Sequence, residues 1–236
     1  MWLAEVIFCR LRDRQHRGRT TMTRSAGWIA AFALAIAAAA TARADDAVTS
    51  FNDCFGKDSP RRIEGCTALI EGGSAGQYQL PDVYAMRALA YSLKGDYATA
   101  IRDYDTAIGL RPDNAVALNN RAWAYFRSGN VDRALPDVEK SLQLDPRAAH
   151  SLDTRAHIRQ QKGDPKGALH DYTKSMYFGG REMIKLYQCG LTESGVYDGK
   201  IDGMWRREVQ DALEKCVVRT SCDPLPADEH CRPATS

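Results

Sequence analysis

The chain has 236 residues, of which 44% are apolar and 26% charged, and its 32 basic and 30 acidic residues leave a net charge of +2. This is ordinary globular composition: it argues against wholesale disorder and gives no basis for nucleic-acid binding. The balance is uneven, because the first 44 residues carry seven Arg against Glu5 and Asp13, while the remainder holds 25 basic and 28 acidic residues.

Residues 22–44 have three parts: a basic start at Arg24, an uncharged Ala-rich stretch from Gly27 to Ala40, and the small-x-small box Ala42-Arg43-Ala44. That order predicts a secretory signal peptide cleaved near Ala44. The apolar stretch is short against the ~20 residues a membrane span needs, an uncleaved anchor being the alternative. Residues 1–21 are polar and basic and fall outside the pattern, so translation is expected to begin at Met22 rather than Met1. The mature protein is expected in the periplasm or the medium.

Seven cysteines are present, and setting Cys9 aside with the leader leaves six: Cys54, Cys66, Cys189, Cys216, Cys222 and Cys231. An even number after a signal peptide predicts three disulfides in an oxidising compartment. None of the six has the C-x-x-C spacing of a zinc site, so no metal and no cofactor is expected.

The middle of the chain repeats itself every 34 residues. Gly95, Gly129 and Gly163 are in register, as are Ala88, Ala122 and Ala156, then Ala100, Ala134 and Ala168, then Pro112 and Pro146. With Pro81, Ala115 and Ala149 as position 1, the apolar positions 4, 8 and 11 share one helical face, and positions 20, 24 and 27 share another. Small residues at 8 and 20 let two helices approach closely. Gly followed by Asp or Asn ends the first helix and caps the second, and Pro165 suits a first helical position. The pattern resembles the tetratricopeptide repeat over 81–180. The resemblance implies an all-α fold: an α-solenoid of about three full helical hairpins. A degenerate N-terminal hairpin over 45–80 precedes them, since Arg62–Ile70 matches Ala100–Ile108 at an offset of 38. Cys54 and Cys66 fall on the two helices of that hairpin and are expected to pair. Arg87, Arg121 and Arg155 at position 7 face Asp103, Asp137 and Asp171 at position 23, and are read as ion pairs within each hairpin rather than as a binding ladder. Pro136, inside a second helix, predicts a kink.

In tetratricopeptide proteins the first helices line a concave groove, chiefly through positions 2, 5, 9 and 12. Carried onto this chain, the groove residues are Asn119, Trp123 and Phe126 in the second hairpin and His150, Asp153 and His157 in the third. Trp123 and Phe126 are either ligand-binding or covered by a neighbouring helix or the C-terminal region. His150, Asp153 and His157 share a helical face, but His150 and His157 are about 10 Å apart along the axis, too far for one metal ion. They are read as a polar patch for a partner.

Residues 181–217 resemble a short peptidoglycan-binding domain. The resemblance rests on Leu186-Tyr187-Gln188, the turn Gly195-Val196-Tyr197-Asp198-Gly199-Lys200-Ile201-Asp202-Gly203-Met204-Trp205, and a helix ending Ala212-Leu213. It implies glycan contact through Tyr197, Asp202 and Trp205, with Asp202 capping the following helix, and pairing of Cys189 with Cys216. Cys222 and Cys231 then close the Cys/Pro-rich tail, 218–236. Where the family carries Gly-Pro-x-Thr this chain has Arg206-Arg207-Glu208-Val209, so the module serves either glycan binding or structural clamping of the solenoid.

No catalytic constellation is legible. The expected function is a non-enzymatic, exported protein–protein interaction scaffold of the bacterial cell envelope. Envelope proteins or peptides are its partners through the groove, peptidoglycan is a further partner through the C-terminal module, and nucleic acid is not one. The alternative is a cell-wall enzyme or its accessory subunit.

Overall fold

The computed structural model describes residues 46–76, 79–219 and 221–225. The leader, its cleavage site at Ala44 and Cys231 lie outside the described residues. The described residues from Ala47 onward form one compact unit, and their regular structure is helical throughout. A helix α1 over 46–54 is followed by α2 (Ser59–Glu71), α3 (Leu80–Leu93), α4 (Tyr97–Leu110), α5 (Ala115–Arg127), α6 (Val131–Leu144), α7 (Ala149–Gln161), α8 (Pro165–Glu193) and α9 (Arg207–Val217). The pairs α3/α4, α5/α6 and α7/α8 are the three hairpins, and each helix packs on the next.

The local chemistry accounts for the hairpins. Gly95, Gly129 and Gly163 all sit near φ +80°, the left-handed conformation that ends a helix. Asp96 and Asp164 then cap α4 and α8, accepting from the N–H of Thr99 at 3.1 Å and of Gly167 at 2.9 Å. Asn130 does not cap α6 with its side chain; its amide turns back to Ser128 instead. The six register alanines at positions 8 and 20 are fully buried. Arg87, Arg121 and Arg155 each grip the Asp sixteen residues on, with N–O distances of 2.7–2.9 Å. The ion pairs therefore join the two helices of each hairpin.

α6 runs through Pro136 as a single helix, which gives up the one intrahelical donor that proline lacks. A break in helical backbone comes instead in α8, at Gly180 (φ 64°, ψ −151°). Gly179 lets that bend close on itself and lie against α7, since a Cβ there would come within 2.6 Å of the Met183 Cβ and 3.2 Å of the Ala149 Cβ. Beyond the break the 34-residue register persists: Met183 and Gly190 follow Ala149 and Ala156, and both are buried. The last part of α8 thus continues the solenoid as the first helix of a degenerate fourth hairpin, with α9 packed against it.

The two ends are sealed differently. At the N-terminal end, the Cys54–Cys66 disulfide joins α1 to α2 with Cα atoms 4.5 Å apart. Gly65 permits the approach, because a Cβ would meet the Ser50 carbonyl at 2.5 Å. At the C-terminal end one continuous core runs from Ala156, Tyr172 and Met176 of the third hairpin through Tyr187 and Leu191 to Val209, Leu213 and Cys216.

The C-terminal disulfides differ from expectation. Cys216 is bonded to Cys222, not to Cys189. After α9 the chain turns at once, with Arg219 N–H donating to the Cys216 carbonyl and Cys222 N–H to that of Arg219. These two turns bring Cys222 to 5.2 Å from Cys216, Cα to Cα. Cys222 is therefore not paired with Cys231, and Cys189 is disulfide-bonded elsewhere.

Candidate functional site

Successive turns of α5 and α7 present the groove positions side by side. On α5, the Trp123 and Phe126 rings stack with centroids 5.3 Å apart, and the Arg127 guanidinium lies 5.5 Å over the indole. Both rings are partly exposed, so they form an open aromatic shelf. Asn119 is buried at 7% exposure; its Nδ2 reaches only Asn120, and its Oδ1 has no hydrogen-bond partner.

The third hairpin is different. His150 is exposed, but Asp153 and His157 are buried, so the expected polar patch is split. The cover is the segment after α9, which lies across the inner side of α7. The Gln160 amide donates to the main-chain carbonyls of Arg219 at 3.1 Å and Cys222 at 2.9 Å, and its oxygen accepts from Tyr172 OH. His157 Nε2 lies 2.9 Å from Asp223 Oδ1, and its Nδ1 lies 2.9 Å from the Asp153 carbonyl oxygen. The His157 ring meets Trp123, Phe126 and Tyr172 edge-on, so it also walls the aromatic shelf. Tyr187 OH donates to the Asp153 carboxylate.

Both imidazole nitrogens face acceptors, so the geometry suits the doubly protonated ring. Burial works against that charge, but Asp153 and Asp223 outweigh it and push the His157 pKa up to about 9. Burial disfavours the Asp153 charge as well and so raises its pKa, opposed by His157 and by the Tyr187 hydrogen bond.

Between the shelf and this strap lies a cavity of about 390 Å³. It is lined by Phe126, Arg127, His157, Gln160, Gln161, Cys222 and Asp223. No group of three or more metal-ligating side chains occurs among the described residues, and none of their helices is long and apolar enough to cross a membrane.

The three residues assigned to glycan contact separate. Tyr197 is buried at 6% exposure, and its hydroxyl donates to the Lys200 carbonyl. Its ring supports the turn, pressed against Gly199, where a Cβ would come within 2.4 Å of the Tyr197 hydroxyl. Gln188 organises the same turn from α8. Its Oε1 accepts from the N–H of Asp202 and Gly203, and its Nε2 donates to the Met204 carbonyl. Asp202 does not cap α9, whose start has no side-chain cap. It accepts from Met204 N–H and pairs with both Arg206 nitrogens at 2.7–2.8 Å. Arg206 and then that N–H hold the Asp202 carboxyl well below the usual carboxylate range. This ion pair closes the turn. Trp205 remains on the surface at 42% exposure, and Ile201 and Met204 are exposed as well.

Sequence reading missed Asp223 and the role of Gln160. Gln160 stood at a groove position, but no sequence signal places the tail opposite it.

Residues 85–149 match a family model described as tetratricopeptide repeat. No curated protein matches the chain. Among solved structures, the crystal structure of MamA aligns with 51% of this chain and 68% of its own, at 18% identity and a TM-score of 0.45. The helical hairpins, their 34-residue register and the family match agree: residues 85–149 are tetratricopeptide repeats.

Proposed function

We infer that this protein is an exported, non-enzymatic scaffold of the bacterial envelope that holds protein partners on its inner face. The observation that carries the reading is the Trp123–Phe126 shelf, two stacked and partly exposed rings of which Phe126 lines the cavity of about 390 Å³. A helical-repeat surface of this kind binds extended segments of other proteins. Export is supported by the leader pattern over 22–44 and by the Cys54–Cys66 and Cys216–Cys222 disulfides, which belong to an oxidising compartment. In this reading the C-terminal module works first as a cap, because it shares its core with the third hairpin. Attachment to peptidoglycan would rest on the exposed Trp205 surface without Tyr197.

The test is capture of partners from an envelope extract by the mature chain and by Trp123→Ala. Capture by the first and not by the second, with the variant still folded and only modestly less stable, is the expected outcome. Equal capture by both sinks the groove reading.

A further inference from the structure

The segment after α9 shows what the third hairpin can hold. It meets α7 at Gln160 and His157, the positions equivalent to Phe126 and Trp123 on α5. Gln160 takes main-chain carbonyls, which any extended peptide presents, and His157 takes a carboxylate. Asp223 belongs to the strap; without it, the cavity lining keeps Arg127 and His157 and no carboxylate of its own. Asp153 is buried behind His157, engaged by Tyr187. Asp153 Oδ2 also lies 3.5 Å from His157 Nδ1 and offsets the imidazolium charge, so the vacated surface presents the Arg127 cation and the His157 Nε2 donor, with an aromatic wall and an amide set for a peptide backbone.

Building on the scaffold reading, we propose that the strap around Asp223 is an internal stand-in for a partner: the third hairpin binds an extended, carboxylate-bearing peptide segment that displaces it. The displacing carboxylate takes the place of Asp223 on His157, and main-chain carbonyls take Gln160. The strap is anchored beside its site by the Cys216–Cys222 disulfide and by Ser194, whose hydroxyl donates to the Asp223 carbonyl. Such a short tether gives it a millimolar effective concentration, so it suppresses weak acidic ligands and yields to strong ones.

The test uses the mature, disulfide-intact chain and its Asp223→Asn variant. The probe is a synthetic peptide of residues 219–225 with serine in place of Cys222, and the control probe carries Asn in place of Asp223 as well. Binding is followed by NMR at the His157 ring and the Trp123 indole. Asp223→Asn should bind the acidic probe at least roughly tenfold more tightly than the parent chain does. The Asn probe should bind far less, and adding His157→Gln should remove binding. A second loosened variant, Cys216→Ser with Cys222→Ser, should behave like Asp223→Asn. Equal affinity of parent and loosened chains, equal affinity for the two probes, or no binding to either loosened chain overturns the proposal. These variants leave Trp123 intact, so Trp123-dependent capture tests the scaffold reading separately.

Discussion

The second and third hairpins share one backbone plan and one register, yet their inner faces have opposite fates. Where α5 carries Asn119, Trp123 and Phe126, α7 carries Asp153, His157 and Gln160. The first set leaves an open shelf of rings, and the second is buried beneath a strap from the far end of the chain. Repeat position decides where a side chain points; what lies opposite decides whether it becomes surface or core. α7 is consequently buried almost all round, with Ser151, Asp153, Thr154 and His157 inside along with Leu152 and Ile158. Polar side chains survive there because each finds a partner: His157 in the strap, Asp153 in Tyr187 of α8, Ser151 in Ser141 of α6, and Thr154 in the His150 carbonyl of its own helix.

The largest effect that sharpens this contrast concerns the hairpin ion pairs. Asp171 is fully buried and takes both Arg155 and Arg159, whereas Asp137 is slightly exposed and takes Arg121. Removing one partner of a buried pair strands the other charge. Asp171→Ala should therefore lose about 3–5 kcal/mol in denaturant unfolding, and Asp137→Ala less. Equal losses would mean that the third hairpin is no more enclosed than the second.

Next comes the dependence on pH. Asp153 on α7 and Asp223 on the strap face His157, Tyr172 and Tyr187 of α8 lie beyond them uncharged, and Arg127 of α5 lines the same cavity. The folded His157 pKa is raised from 6.5 to about 9. Its contribution to stability is therefore fully present below about 6.5 and lost as pH rises through about 9, on the order of 3 kcal/mol. Unfolding curves between those limits should show the fall, and His157→Gln should flatten it. A parent chain with a flat profile would break the link between the strap and α7.

The open shelf should answer oppositely. Trp123→Ala should weaken partner binding by about 2 kcal/mol, with a smaller loss of stability. Loss of about 3–5 kcal/mol of stability with unchanged affinity would instead make Trp123 core. The smallest effect belongs to the half-exposed Asp105, the second carboxylate on Arg121. Asp105→Asn should cost under about 1 kcal/mol by thermal melting, as exposed pairs generally do.

Sequence alone determined the hairpins and much of their interior. A 34-residue register of small residues leaves few ways to pack: Ala88, Ala122 and Ala156 permit close helix approach, and Gly95, Gly129 and Gly163 end helices by their left-handed backbone. The Arg–Asp pairs followed, because two residues sixteen apart on a fixed hairpin have only one place to meet. The Cys54–Cys66 disulfide was legible for the same reason, since both cysteines lie within one hairpin. Tertiary structure alone decided contacts with no fixed spacing behind them. Cys216 meets Cys222 because the chain turns twice after α9, and Asp223 meets His157 across 66 residues. Tyr197, which reads as a surface aromatic, became a support under Gly199 once the turn folded over it. Periodicity specifies direction along a helix, whereas burial depends on which distant segment arrives, and no local pattern encodes that arrival.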